Sequence, residues 1–324
     1  MTTQRRGLLF LIAVLVLAFG IGLFVDQGGL VSTVTTMFMF VALAQAWNIL
    51  GGYAGYINFG MAGFFGVGAY TTAILFHEFQ ISPFLTAVLG GAAAVVIAFA
   101  VGVPSLRLRG SYFAIVTLII TFAIQLVVFD VPITQGSMGI TLAALPFPPH
   151  VAAQVFYFTF LILAMLATVA VYFIERSRFG YALVAIREDE DAAGVLGVRT
   201  TAVKTLALVI GAGMAGIVGG IYSAYILYIE PSGTFALDIS LDVVLIAIVG
   251  GAGSWQGALI GAPVILLVAD FLRVGVAHFS LGGAQLPTEF NRLFFGAVLI
   301  AVALYAPGGI MGVLRGVRGR RFTV

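Results

Sequence analysis

The chain has 324 residues, of which 61% are hydrophobic and 9% charged, against about 25% charged in an ordinary soluble domain. With a mean hydropathy of +1.15, it carries too few charges to cover a soluble fold of this size, which excludes a soluble enzyme and a disordered chain. Cysteine is absent and the net charge is +2, so disulfides and thiolate metal sites are excluded and no nucleic-acid footprint is present.

A helix that crosses a bilayer needs roughly 20 mostly apolar residues. In chain order, candidate spans run over Leu8–Val25, Leu30–Leu50, Ile57–Phe76, Phe84–Pro104, Ser111–Phe129, Ala153–Ile174 and Thr205–Tyr228. Two more follow at Ile239–Phe271 and Phe290–Pro307. The first span is expected to be retained rather than cleaved as a signal: no small-x-small site follows it, and it exceeds the roughly 7–15 residues of a signal core. Ile239–Phe271 is too long for one crossing. Its middle, Gly250-Gly251-Ala252-Gly253-Ser254-Trp255-Gln256-Gly257, is turn chemistry rather than helix interior.

Charge placement decides how often that stretch crosses, because cytoplasmic loops are enriched in Lys and Arg. With the N-terminus inside, Arg5, Arg6, Arg107, Arg109, Arg176, Arg178, Arg187, Arg199 and Lys204 fall inside. A turn at Gly250–Gly257 returns the tail, with Arg315, Arg318, Arg320 and Arg321, to the same side. Thirteen of the 15 basic residues are then internal, leaving Arg273 and Arg292 outside. The expected fold is an all-α polytopic membrane protein of about ten transmembrane helices, including broken or re-entrant Gly-rich segments, with both termini cytoplasmic. Residues 1–324 form a single transmembrane domain with a cytoplasmic loop over 175–204 and a basic tail over 308–324. The short arm Ile239–Val249 is either a half-helix or a tilted crossing.

Glycines recur at four-residue spacing at Gly211, Ala215 and Gly219 and at Gly253, Gly257 and Gly261. Small residues on one face allow close helix approach in lipid. Asn48 and Asn58 flank Gly51-Gly52-Tyr53-Ala54-Gly55, a break that brings polar groups towards the membrane interior. Thr117, Thr121 and Gln125 form a polar stripe at i, i+4, i+8 on the fifth span. Such a stripe serves helix–helix hydrogen bonding or lines a path, and these five residues are the candidate path residues.

No catalytic constellation is present. A phosphate-binding loop needs Gly-Lys-Ser/Thr, but Val203 precedes the single lysine, Lys204. No His-Glu-x-x-His or Gly-x-Ser-x-Gly motif occurs. Proton-coupled carriers place carboxylates within the membrane, and here Asp242 comes nearest to that position. The longest hydrophilic stretch, Glu175–Lys204, contains acids at 188–191, then Ala192, Ala193, Val195 and Leu196, then Gly197. Acids at an N-terminal turn and Gly just past the end predict a short amphipathic helix. It is either a solvated connector or a coupling helix that enters a groove on a cytoplasmic partner.

The run from Ala185 to Val198, A-I-R-E-D-E-D-A-A-G-V-L-G-V, resembles a signature of the permease subunits of branched-chain amino acid ABC importers, the LivM type. Leu106–Leu118 (L-R-L-R-G-S-Y-F-A-I-V-T-L), Thr134–Ile140 (T-Q-G-S-M-G-I) and Gly60–Tyr70 (G-M-A-G-F-F-G-V-G-A-Y) are similar to further family segments. The Gly250–Gly261 turn and Ala306–Gly312 also fit. The chain departs from the family at Gln135, where many members have Asn, and at Asn58, Met61 and Gly63.

The resemblance implies a pore made with a second permease of the LivH type. It also implies two cytoplasmic ATPase subunits that use ATP and Mg, and a periplasmic substrate-binding protein, all at a bacterial inner membrane. No cofactor is expected on this chain, and no nucleic-acid partner. Carried over from the motif, Arg187, Glu188, Glu190, Ala193 and Gly197 shape the ATPase-coupling element. Within the same architecture, urea, amides and aromatic acids remain alternative substrates, and an ion-coupled secondary carrier is the alternative from another class.

Overall fold

A computed structural model describes residues 29–278 and 309–312 of the chain. Helices dominate it: α1 Gly29–Leu50, α2 Met61–Phe79, α3 Pro83–Ser105, α4 Ser111–Asp130, α5 Pro149–Glu175, α6 Arg178–Glu188, α7 Glu190–Val195 and α8 Thr200–Ile226. A short turn of helix, α9 Pro231–Thr234, leads into α10 Leu237–Gly250 and α11 Trp255–His278. Two-residue strands β1 Ile140–Thr141 and β2 Tyr228–Ile229 pair antiparallel, Ile140 opposite Ile229, and tie the α4–α5 connection to the end of α8.

Among the described residues, six segments are long and apolar enough to cross a membrane: Val31–Leu50, Pro83–Ser105, Ser111–Asp130, Pro149–Glu175, Thr200–Ile226 and Pro231–Gly250. The protein is an all-α, multi-pass membrane protein. Of the expected ten crossings, Leu8–Val25 and Phe290–Pro307 lie outside the described residues, as do both termini and the basic tail beyond residue 312. The long stretch Ile239–Phe271 divides where its glycines sit, with Gly251 at φ 120° and Gly253 at φ 75°. Helix α10 alone has 14 residues, about 21 Å at 1.5 Å per residue. Pro231–Thr234 extends it into a 20-residue segment.

Other boundaries move for local reasons. Helix α2 starts at Met61 rather than Ile57, because the Asn58 side chain accepts a hydrogen bond from the Gly60 N–H (2.7 Å) and holds the chain out of helix. Helix α8 begins at Thr200, so Lys204 is inside it rather than in the loop. The loop over 175–204 holds two helices, not one: Arg187 and Glu188 close α6, and Glu190 and Asp191 open α7. Ser177 caps α6 by accepting from the Gly180 N–H, and Asp189 caps α7 by accepting from the Asp191 and Ala192 N–H groups.

Small residues set the packing between spans. A Cβ on Gly68 would lie 1.9 Å from the Gly216 carbonyl oxygen, and one on Gly219 would lie 2.0 Å from that of Phe65, so α2 and α8 touch backbone to backbone. Helix α3 packs into the same junction, where Gly220 abuts both Thr72 of α2 and Ala87 of α3 and Gly102 abuts Leu208. Lipid supplies no hydrophobic drive for helix association, so dispersion at such close approaches does the work. Gly68→Ala is therefore expected to destabilise the bundle by about 1–3 kcal/mol. Gly194→Ala, in helix α7 with nothing within 4 Å, is expected to gain up to about 1 kcal/mol. Thermal unfolding of the two variants in detergent checks both signs.

Candidate functional site

Two interrupted helices meet at one end of the bundle. The first interruption spans 51–60 between α1 and α2, and the second spans 251–254 between α10 and α11. Buried backbone outside a helix has to find hydrogen-bond partners within the protein. Asn48, buried on the last turn of α1, supplies two: its Nδ2 donates to the Ser254 carbonyl (3.0 Å), and its Oδ1 accepts from the Gly253 N–H (2.8 Å). One turn earlier, Gln45 Nε2 donates to the Trp255 carbonyl at 2.6 Å. The approach is close enough that a Cβ on Gly52 would sit 2.5 Å from the Gly253 nitrogen.

The 51–60 segment is held along its length. Trp47 Nε1 donates to the Asn58 carbonyl (2.9 Å), and Thr117 Oγ1 accepts from the Phe59 N–H (3.0 Å). Ser240 Oγ donates to the Phe59 carbonyl (2.8 Å) and accepts from the Ala62 N–H (2.9 Å). Of the expected path residues, Asn48 thus bridges the two breaks, Asn58 shapes the start of α2, and Thr117 holds the break against α4. Thr121 is buried and donates to the Thr117 carbonyl (3.2 Å), while Gln125 Nε2 donates to the Pro231 carbonyl at 3.3 Å. Each of the five side chains is hydrogen-bonded to backbone. Asp242 lies half-buried in α10.

The loop helices α6 and α7 sit over this junction. Arg187 Nη1 donates to the Gly52 carbonyl (3.3 Å), and its Nη2 donates to Glu188 Oε1 (3.1 Å). Its methylene stem covers Gly55, where a Cβ would meet Cγ at 2.9 Å. Glu190, in the first turn of α7, pairs with Lys204 Nζ at 2.5 Å and accepts from the Tyr56 hydroxyl. Lys204 also donates to the Tyr56 hydroxyl (2.9 Å) and the Leu106 carbonyl (3.1 Å). Arg109 grips Asp191 with two bonds of 2.7 and 2.9 Å and lies 3.7 Å from Glu190. The Tyr53 hydroxyl donates to Glu175 at 2.9 Å.

Burial opposes ionisation of Glu190, but the bonds from Lys204 and Tyr56 and the charges of Lys204 and Arg109 outweigh it, holding its carboxyl below the ordinary glutamate range. The Arg109 bonds and charge hold the exposed Asp191 carboxyl low as well, although a solvated pair of this kind contributes little to stability. Ala193 packs inward, 2% exposed. Gly197, at φ 91°, ends α7, with the Val198 N–H bonded to the Ala193 carbonyl and the Gly197 N–H to that of Gly194. Val195 and Leu196 project from this end, 89% and 84% exposed.

Sequence reasoning placed Val195 and Leu196 in the loop helix but missed the roles of Lys204 and Tyr56. It counted Lys204 as one more inward-side charge, whereas the structure buries it in an ion pair. The signal available was Lys204's place immediately before the apolar span that opens at Thr205.

The family described as branched-chain amino acid transport system, permease component, matches residues 29–303. The chain belongs to this family. The high-affinity branched-chain amino acid transport system permease protein LivM of Salmonella typhimurium is 30% identical, over 95% of this chain and 75% of that protein. LivM of Escherichia coli is 29% identical over the same shares, and LivH of Escherichia coli 29% identical over 84% of this chain and 91% of that protein. No solved structure matches the chain significantly. As a LivM-type permease chain it is a transport component, and the junction of paired breaks and loop helices is its densest polar assembly among the described residues.

Two outcomes test this geometry. Asn48→Leu strands the Gly253 N–H and Ser254 carbonyl, at a cost of about 1–3 kcal/mol for each buried group left unpaired, read as a fall in thermal stability. Because the folded pKa of Glu190 is lowered, its contribution is complete above its ordinary pKa of 4.5 and is lost as pH falls through the folded value. Amide exchange over Glu190–Leu196 should stay slow from neutral pH down to that range and accelerate below it. Glu190→Gln should abolish the acid step.

Proposed function

We propose that this chain is the LivM-type half of the translocation path of an ATP-driven importer for branched-chain amino acids, residing in a bacterial inner membrane. Its partners are a LivH-type permease, two cytoplasmic ATPase subunits that bind ATP and Mg, and a periplasmic binding protein that delivers substrate. Family membership and the printed functions of the LivM and LivH relatives support this reading. The observation that carries the power-source assignment is α7. A helix of six residues is fixed at both ends and pinned to the bundle by Arg109 on Asp191 and by Lys204 and Tyr56 on Glu190, yet it leaves Val195 and Leu196 in solvent. An exposed aliphatic pair on an otherwise tied-down loop is a knob for a groove on a partner.

In this reading the chain provides passage rather than chemistry. Arg187, Glu188, Glu190, Ala193 and Gly197 shape the coupling element, and Asn48, Asn58, Thr117, Thr121 and Gln125 belong to the path and its supports. Uptake of labelled leucine, isoleucine and valine into vesicles should require this chain, the second permease, both ATPases and the loaded binding protein. Uptake by this chain alone, driven by an ion gradient, would sink the assignment. Ala193→Pro, or Val195→Asp with Leu196→Asp, should leave the chain inserted but remove ATPase association, read by co-purification, and reduce uptake to background.

A further inference from the structure

Lys204 is the single lysine of the chain, and its side chain is 2% exposed. Taking an ammonium out of water is costly unless charge and hydrogen bonds replace the solvent. Here all three donors are matched, to Glu190 Oε1 at 2.5 Å, the Tyr56 hydroxyl at 2.9 Å and the Leu106 carbonyl at 3.1 Å. The Tyr56 ring also faces it, 4.4 Å from Nζ to the centroid, and the Tyr56 hydroxyl donates onward to the second oxygen of Glu190. The four residues come from four places: α7, the α1–α2 break, the end of α3 and the start of α8.

Holding α7 against the bundle does not by itself call for such a cluster. Arg109 and Asp191 already do so in solvent, where a pair can form and dissolve at small cost. Separating Glu190 from Lys204 is different, because it leaves an uncompensated charge on an ammonium that is 2% exposed. Glu190 and Tyr56 therefore move with Lys204 as one body. Tyr56 is four residues from Gly52, whose carbonyl receives Arg187 and whose Cα lies against the Gly253 backbone that Asn48 fixes. A displacement of α7 is thus delivered to the paired breaks through a contact that cannot slip.

The geometry points to Lys204 as the positioning residue that transmits movement of α7 to the two paired helix breaks. This role rests on the importer reading above. A merely structural role and a transmitting role separate in one comparison. Removing both members of a buried ion pair relieves the stranded charge, so stability returns, whereas a lost linkage does not return.

The experiment uses the complete importer in nanodiscs and vesicles, with loaded binding protein and ATP, and compares wild type, Lys204→Met and the double variant Lys204→Met with Glu190→Met. Substrate taken up per ATP hydrolysed should fall by about tenfold or more in Lys204→Met, within the usual range of a coupling between two sites. The ATPases should remain bound and continue unstimulated hydrolysis. In the double variant thermal stability should recover towards wild type while uptake per ATP stays low. Lys204→Met with wild-type uptake per ATP, or a double variant that recovers stability and uptake together, would overturn the role and leave the importer reading standing. A wild-type complex with no ATP-dependent uptake would overturn both.

Discussion

The constraint on which the rest depends is that buried backbone between helices must find hydrogen-bond partners within the protein. Each buried N–H or C=O left without one costs more than a typical hydrogen bond gains. This chain interrupts two helices and answers the cost by docking each break on the other. Asn48 is suited to the task because a carboxamide donates and accepts at once, matching the N–H of Gly253 and the carbonyl of the next residue, Ser254. Neither Gln45 nor Asn48 could do this from a continuous helix surface facing lipid. The glycines permit the approach, and the amides make it specific.

That solution uses up much of the polar inventory of the spans. Thr117, Ser240, Trp47 and Asn58 are all committed to the 51–60 segment. A stripe of polar residues at helical spacing, which in isolation reads equally as a path lining, is here bonded to backbone at every position. Charge follows a similar logic at the loop end of the bundle. Few charges exist, and the ion pairs around α6 and α7 fall into an exposed set, Arg109 with Asp191 and Arg187 with Glu188, and one largely excluded pair, Glu190 and Lys204. The exposed set tolerates rearrangement and the excluded pair does not.

Much of this was legible beforehand, and the exceptions have physical causes. The turn at Gly250–Gly257 followed from the bias of basic residues to one side, and Gly197 was recognisable as a helix terminator from its place after Ala-Ala-Gly-Val-Leu. Helix α6 was not separated from α7 because charges at 187–191 run across both; its own marks are Ser177 as cap and the inward residues Gly180, Leu183 and Ile186 at three-residue spacing. The fate of Lys204 was illegible because the positive-inside rule sorts charges between sides of a membrane and says nothing of their solvation. The mutual docking of the two breaks joins positions about 200 residues apart, and the local pattern at either one holds no trace of the other.

The size of α7 gains meaning from its ends. Six residues are far too few to hold a helix in water, where nucleation alone is unfavourable. Asp189 satisfies the first free N–H groups, Gly197 and Val198 satisfy the last carbonyls, and Ala193 and Glu190 fasten the middle to the bundle. With its conformation fixed before any partner arrives, Val195 and Leu196 lose little freedom on burial, so contact free energy is not consumed in ordering the loop. A longer, self-supporting helix would need fewer ties to the bundle and would move more independently of it. In the importer proposed above, a minimal helix that exists because the bundle holds it would pass displacement inward with little loss, the mechanical property a coupling element needs.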